Sequence, residues 1–158
     1  MSPYPDIAIV IPAFNEAANL ADVVEKAQAF SPNILVVDDG STDATSEVVA
    51  ELGCRVLRNA GNLGKGASLR KGLAAALENN PEAVISMDAD GQHPAEAIPR
   101  LVEHFKQTSD DLVIAARLEG REAMPGVRRF GNNFADFWIG LAANRRIRDS
   151  QSGFRLYS

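Results

Sequence analysis

Two acidic pairs stand where apolar runs stop, Asp38-Asp39 after Ile34-Leu-Val-Val37 and Asp88-Ala-Asp90 after Ala83-Val-Ile-Ser-Met87. Two carboxylates one residue apart on a turning backbone, here followed by Gly91, can aim hard oxygens at one magnesium- or manganese-type cation that also touches phosphates. Taken alone, an Asp-x-Asp is equally a turn or helix-capping pair; the second acidic pair at another strand end is what favours a shared site. Asp38-Asp39-Gly40-Ser41 has the same double reading. Capping and turn formation account for Gly40 and Ser41, but two successive acids exceed what a cap needs, and a carboxylate here can accept the ring N–H of a nucleobase. Asn59-Ala-Gly-Asn-Leu-Gly-Lys-Gly66 is a flexible, mildly basic loop that opens a helix, a place where backbone amides and Lys65 can meet a diphosphate.

The basic residues are distributed unevenly. Residues 1–116 carry 8 Lys+Arg against 17 Asp+Glu, net −9, whereas residues 117–158 carry 8 basic residues, all arginine, against 4 acids, net +4. A solvated basic face is one reading. Exclusive use of arginine also fits an anionic ligand, because the guanidinium fork matches phosphate oxygens.

The elements that must position these residues alternate along the chain. Residues 6–11, 33–37, 55–57, 83–87 and 112–116 read as strands; helices are expected over 16–30, over about 42–52 with a cap from Ser41, Thr42 or Asp43, after Gly66 along Leu69, Leu73 and Leu77, and around Ile98–Phe105 with Pro99 in its first turn. Continuous apolar strands imply a mostly parallel sheet covered by helices on both faces, an α/β architecture. Ligands of such sheets bind beyond the carboxyl ends of the strands, where this chain places Pro12 to Glu16, Asp38 to Ser41, Asp88 to His93 and Arg117. Four strand ends are thus expected to converge. No Gly-x-Gly-x-x-Gly follows the first strand and no Walker-type loop occurs, so any nucleotide is held in another way.

Length and composition narrow the classes further. The 158 residues, 46% hydrophobic and 23% charged, match one globular domain rather than a fibrous or disordered chain. No apolar run approaches the ~20 residues of a membrane span, and no basic leader precedes the first strand; the expected location is cytoplasmic. One cysteine, Cys54, and two isolated histidines provide neither a disulfide nor a structural zinc site. Cys54 reads as a small hydrophobe, His104 as a surface residue, and His93 lies near the acids without a catalytic role.

Five segments in order, Ile11-Pro-Ala-Phe-Asn-Glu16, Val36-Val-Asp-Asp-Gly-Ser-Thr-Asp43, Asn62-Leu-Gly-Lys-Gly-Ala67, Met87-Asp-Ala-Asp-Gly-Gln-His-Pro94 and Gln151-Ser-Gly-Phe-Arg155, resemble family 2 glycosyltransferases, most closely the dolichyl- and polyprenyl-phosphate mannose synthase and glucosyltransferase branch. The resemblance implies a GT-A fold, a nucleoside-diphosphate sugar donor, Mg2+ or Mn2+, and inverting transfer. It places Asp38 and Asp39 at the base or ribose, with Pro12, Asn15, Glu16, Gly40, Gly64 and Lys65 also on the donor side. Asp88 would lie by the ribose or diphosphate, and Asp88, Asp90 and Gln92 would hold the cation. Residues 1–116 become the donor-binding half and 117–158 the start of an acceptor-binding half of one catalytic domain.

The acceptor implied by this branch is a polyprenyl phosphate, whose anionic oxygen attacks without a strong base and needs holding more than deprotonating. Arg117, catalytic in that sense, with Arg128 and Arg129, is the expected clamp. Glu-Asp and Gln-x-x-Arg-Trp, usual in members that use hydroxyl acceptors, are absent. Phe130, Phe134, Phe137, Trp138 and Leu141 share a helical face that fits either core packing or peripheral contact with a membrane, and no nucleic-acid partner is expected. Relatives usually continue beyond Gly-Phe-Arg, so a C-terminally truncated fold is also expected, and a non-catalytic sugar-nucleotide-binding module is the alternative function. A nucleotidyltransferase fits less well, because the glycine-rich basic loop it needs after the first strand is missing.

Overall fold

The computed structural model describes residues 2–108, 110–116, 149 and 152–158. Six strands form one sheet: β1 (Ile7–Ala13), β2 (Asn33–Asp38), β3 (Arg55–Arg58), β4 (Ala83–Ser86), β5 (Leu112–Ile114) and β6 (Arg155–Tyr157). Four helices intervene, α1 (Leu20–Gln28), α2 (Thr45–Glu51), α3 (Lys65–Leu77) and α4 (Ile98–Thr108), the last preceded by a 3-10 turn at Ala95–Ala97. The spatial order is β3-β2-β1-β4-β6-β5. The first four strands pair in parallel, and β6 runs antiparallel to both β4 and β5. The expected mostly parallel sheet is therefore present, with β6 an addition that separates β4 from β5.

Alternation along β1 divides the core in two. Ile7, Ile9, Ile11 and Ala13 pack with Leu20, Val23 and Val24 of α1, Val49 of α2, and Leu101 and Val102 of α4. Ala8 and Val10 face the other way, joining Leu35, Val37, Val84 and the Ala75-Ala76 stretch of α3. Glycine at position 72 lets α3 approach this second face closely, because a β-carbon there would come within 2.4 Å of Val10 Cγ1 and 2.8 Å of Val37 Cγ2. That approach carries the first turn of α3, with Lys65, to the end of the sheet.

Several elements begin later than their sequence pattern implies. The Glu16 carbonyl accepts from the Asn19 and Leu20 amides and closes a turn, so α1 starts at Leu20 rather than Glu16. Helix α2 starts at Thr45 with no side-chain bond at its Ala44 cap. Asp43 Oδ1 instead accepts from the Thr45 amide, while Ser41 and Thr42 bond to Asn15. Asp43 thus serves the first amide of α2, and Ser41 and Thr42 join loops.

Candidate functional site

Backbone bonds continue past the strand ends and hold the loops in line. The Asp39 amide donates to Ala13 O and the Asn59 amide to Asp38 O, both at 2.8 Å, and the Met87 amide donates to Val10 O at 3.0 Å. Beyond this edge lies a cavity of about 240 Å³ lined from the β1 end by Pro12, Ala13, Phe14 and Glu16, from the β2 end by Asp39, and from the β4 end by Asp88, Ala89 and Asp90. Asn62, Lys65 and Ser68 complete it. Among the described residues three strand ends converge, joined by the start of α3. The fourth expected contributor, Arg117, lies outside the described residues, as do Arg128, Arg129 and the aromatic stripe from Phe130 to Leu141.

The acids after β2 point apart. Asp38 is fully buried and does not line the cavity. Its Oδ1 accepts from the Ser41 amide at 2.8 Å, its Oδ2 accepts from Ser46 Oγ at 2.6 Å, and Arg58 Nε lies 3.4 Å away. Asp38, expected at the base or ribose, ties the β2 loop to α2 through its carboxylate, and Asp39 is the acid of the pair that lines the cavity. Asp39 does reach the cavity, yet it also organises the following loop. Oδ1 accepts from Asn59 Nδ2 at 2.7 Å and the Leu63 amide at 2.9 Å, and Oδ2 accepts from the Gly64 amide at 2.8 Å. Burial alone would raise the pKa of both acids. For Asp38 the bonds from Ser41 and Ser46 outweigh it, and for Asp39 those from Leu63, Asn59, Ser68 and Gly64 do, so both sit below the ordinary carboxylate value.

Other donor-side candidates divide along the same line. Pro12, Glu16 and Lys65 line the cavity, whereas Asn15, Gly40 and Gly64 shape its walls. Asn15, at φ +55°, donates its amide to Ser41 Oγ and accepts the Thr42 amide on Oδ1, which locks the β1 loop to the β2 loop. Gly40, at φ +72°, lies so close to Gly61 that a β-carbon would come within 2.6 Å of that backbone.

Asp88 and Asp90 face the cavity together. Lys65 Nζ lies 2.8 Å from Asp88 Oδ1, and Asp90 Oδ1 accepts from the Gln92 amide at 3.0 Å. Gln92 is the third expected cation ligand, and its backbone already meets the site. Gln92 is exposed and lines a separate depression with Asp22, Lys26 and His93, so its contact with the site is the backbone bond that orients Asp90.

No cluster of three or more His, Cys, Asp or Glu able to hold a metal occurs among the described residues. Two hard carboxylates on a cavity edge still fit Mg2+ or Mn2+, which typically take one or two carboxylates and complete their shell with water and substrate phosphates. A close backbone approach supports this fit, since a β-carbon on Gly153 would fall 2.1 Å from Asp88 Oδ1 and 2.3 Å from Oδ2. Ser86 Oγ fixes that loop by donating to Gly153 O at 2.7 Å. Beside it, the buried His93 ring packs on Phe154 with centroids 5.3 Å apart.

Sequence reasoning passed over Asn59, Ser68 and Ser86 as individual residues. Asn59 and Ser68 are buried and bonded to each other beneath Asp39, a role whose only sequence signal is their place in and just after the glycine-rich loop.

A parallel sheet with acids at the carboxyl ends of neighbouring strands, a glycine-bounded loop into α3 and an antiparallel strand inserted beside β4 defines the GT-A class of nucleotide-sugar-binding folds. The solved structure of glucosyl-3-phosphoglycerate synthase from Mycobacterium tuberculosis in complex with Mn2+, uridine diphosphate and glucosyl-3-phosphoglycerate superposes with a TM-score of 0.76 at 23% identity, over 98% of this chain and 57% of that one. Residues 8–154 match the model of glycosyl transferase family 2, and the chain belongs to that family. It is 36% identical to an uncharacterised protein of Methanocaldococcus jannaschii, over 97% of this chain and 65% of the relative. It is 29% identical to the UDP-N-acetylglucosamine–dolichyl-phosphate N-acetylglucosaminyltransferase of Methanococcus voltae, over 96% of this chain and 69% of the relative. The chain thus spans about two thirds of these relatives. No helix among the described residues is long and apolar enough to cross a membrane.

Proposed function

We propose that this chain carries the catalytic domain of an inverting, metal-dependent glycosyltransferase that moves a sugar from a nucleoside diphosphate to a polyprenyl phosphate. The observation that carries the reading is one cavity lined by Pro12, Asp39, Lys65, Asp88 and Asp90. Asp39 lines the cavity while Asn59, Leu63 and Gly64 hold its carboxylate, and its cavity-facing side is proposed to accept a base N–H. Pro12 and the exposed face of Phe14 offer apolar surface for the base, and Lys65 faces the diphosphate. Asp88 and Asp90 would hold Mg2+ or Mn2+, which as a Lewis acid neutralises charge on the departing diphosphate. The structural relative named above was crystallised with Mn2+ and uridine diphosphate, which supports both a divalent cation and a nucleotide as ligands.

In the reaction, an acceptor phosphate oxygen forms a bond to the anomeric carbon while the bond to the donor's diphosphate breaks on the opposite face. The electron pair leaves with the nucleoside diphosphate and the anomeric configuration inverts. The acceptor is already ionised near neutral pH, so positioning supplies most of what the protein contributes. Arg117 is proposed to grip that phosphate, with Arg128 and Arg129 assisting. The dolichyl-phosphate acceptor in the name of the Methanococcus voltae relative favours a lipid phosphate.

The test is a transfer assay with UDP- and GDP-sugars and manganese, offering polyprenyl phosphate beside a soluble phosphate monoester. Transfer to the polyprenyl phosphate is expected, and Arg117→Ala should depress it more than it depresses donor hydrolysis. Equal losses would remove Arg117 from the acceptor role. Transfer only to the soluble ester would overturn the lipid acceptor, and metal-dependent donor binding without any turnover would identify a binding module.

A further inference from the structure

Lys65 sits where a helix alone would not favour it. It is the first residue of α3, the end at which aligned peptide dipoles favour acids and disfavour cations, and the first turn of α3 contains no acid. Its ammonium crosses the cavity to Asp88 Oδ1 at 2.8 Å. The pair is lopsided, with 59% of the Lys65 side chain exposed against 13% for Asp88. A long, solvated side chain can withdraw into water readily. Asp88 has less freedom, because the Gly153 backbone, pinned by Ser86, lies directly against its carboxylate. One partner is fixed and the other is movable.

We propose that Lys65 is a resident counter-cation that a divalent ion displaces from Asp88, and that the displaced ammonium then pairs with the donor's diphosphate. The inference rests on the sugar-nucleotide reading and deepens it by making Lys65 the positioning residue that couples the two binding events. Metal arriving alone must compete with the ammonium. Metal arriving with nucleotide gives that ammonium a new anionic partner, so each ligand strengthens the other, as reciprocal linkage requires.

The experiment is calorimetry on the full chain and on Lys65→Met, titrating Mn2+ alone, then UDP and GDP at saturating Mn2+. Removing the competing cation should tighten Mn2+ binding in the absence of nucleotide by about threefold, the scale of an exposed ion pair. The same substitution should weaken nucleotide binding by about tenfold, the scale of a charge-assisted hydrogen bond. These opposite signs separate displacement from a structural role, which would move both affinities down together with the melting temperature. If Lys65→Met melts early, Lys65→Gln is expected to show the same crossing, and its failure to do so overturns the proposal. In Lys65→Met/Asp88→Asn the gain in Mn2+ affinity should vanish. Mn2+ binding that is unchanged or weaker in Lys65→Met, with Mn2+-dependent nucleotide binding intact in the unaltered protein, overturns this inference alone. Absence of Mn2+-dependent UDP and GDP binding in the unaltered protein overturns the sugar-nucleotide reading and this inference with it.

Discussion

The acids that close β2 and those that close β4 look alike in sequence and differ in what surrounds them. After β2, Asp38 is fully buried and each of the two acids meets several protein donors: Ser41, Ser46 and Arg58 for Asp38, and Asn59, Leu63 and Gly64 for Asp39. After β4, Asp88 meets one solvent-exposed lysine and Asp90 one backbone amide, and both face the cavity. A carboxylate met by several protein donors is tied to its loop, Asp38 wholly and Asp39 on the side away from the cavity, whereas one met by a single donor is available to a cation. The difference lies in the supply of donors rather than in the acids themselves.

The largest effect that would sharpen this contrast is expected from Asp39→Ala. It leaves the Leu63 amide without its acceptor, while Gly64 keeps Asn62 and Asn59 keeps Ser68, and should cost about 2–3 kcal/mol of stability. Denaturant unfolding measures it, and a loss below about 1 kcal/mol would break the assignment of Asp39 to loop building. Gly40→Ala tests the same loop from its backbone. Its positive φ and the 2.6 Å approach to Gly61 predict a loss of about 2 kcal/mol. On the β4 side, Gly153→Ala should spare stability relative to these but push Asp88 out of position. Manganese-dependent nucleotide affinity is expected to fall about tenfold, the scale of removing an outer support of a metal ligand.

Acid provides the mildest probe. Asp38 and Asp39 have folded-state pKa values below the ordinary 3.8. The folded protein therefore binds fewer protons at these groups than the unfolded chain does, and the stability they confer is fully present above the unfolded value. It is lost as pH falls through the folded values. Stability from this source should be flat from neutrality to about pH 5 and decline below about pH 4. A decline centred near neutrality would contradict the burial and bonding described for the pair.

Much of the fold was legible because four of the six described strands are apolar runs that need no knowledge of their neighbours. β6 was not. Three residues, Arg155–Tyr157, carry too short a pattern, and their insertion between β4 and β5 is a long-range pairing that only tertiary packing decides. The starts of α1 and α2 shifted because Glu16 O closes a turn and Ser41 and Thr42 are drawn into loop-to-loop bonds, leaving Asp43 to serve the first amide of α2. At the site, Asp39, Asp88, Asp90 and Lys65 were visible as chemistry at strand ends. Asp38 and Asp39 could not be told apart in sequence, because successive residues on a strand end point to opposite sides and the side that holds the cavity is set by the loop folded over Asp39.

The central claim is that the β4 acids serve a ligand and that Asp38 serves the fold. It is tested most directly by measuring, on Asp38→Ala and Asp90→Ala in parallel, the unfolding free energy and the nucleotide affinity with manganese and with a chelator. Asp90→Ala should keep its stability within about 0.5 kcal/mol and lose the manganese-dependent part of nucleotide binding, whereas Asp38→Ala should lose about 2–4 kcal/mol and, while folded, retain it. Equal nucleotide affinity with manganese and with chelator in the unaltered protein, or an Asp90→Ala variant that binds as tightly as its parent, would contradict the claim.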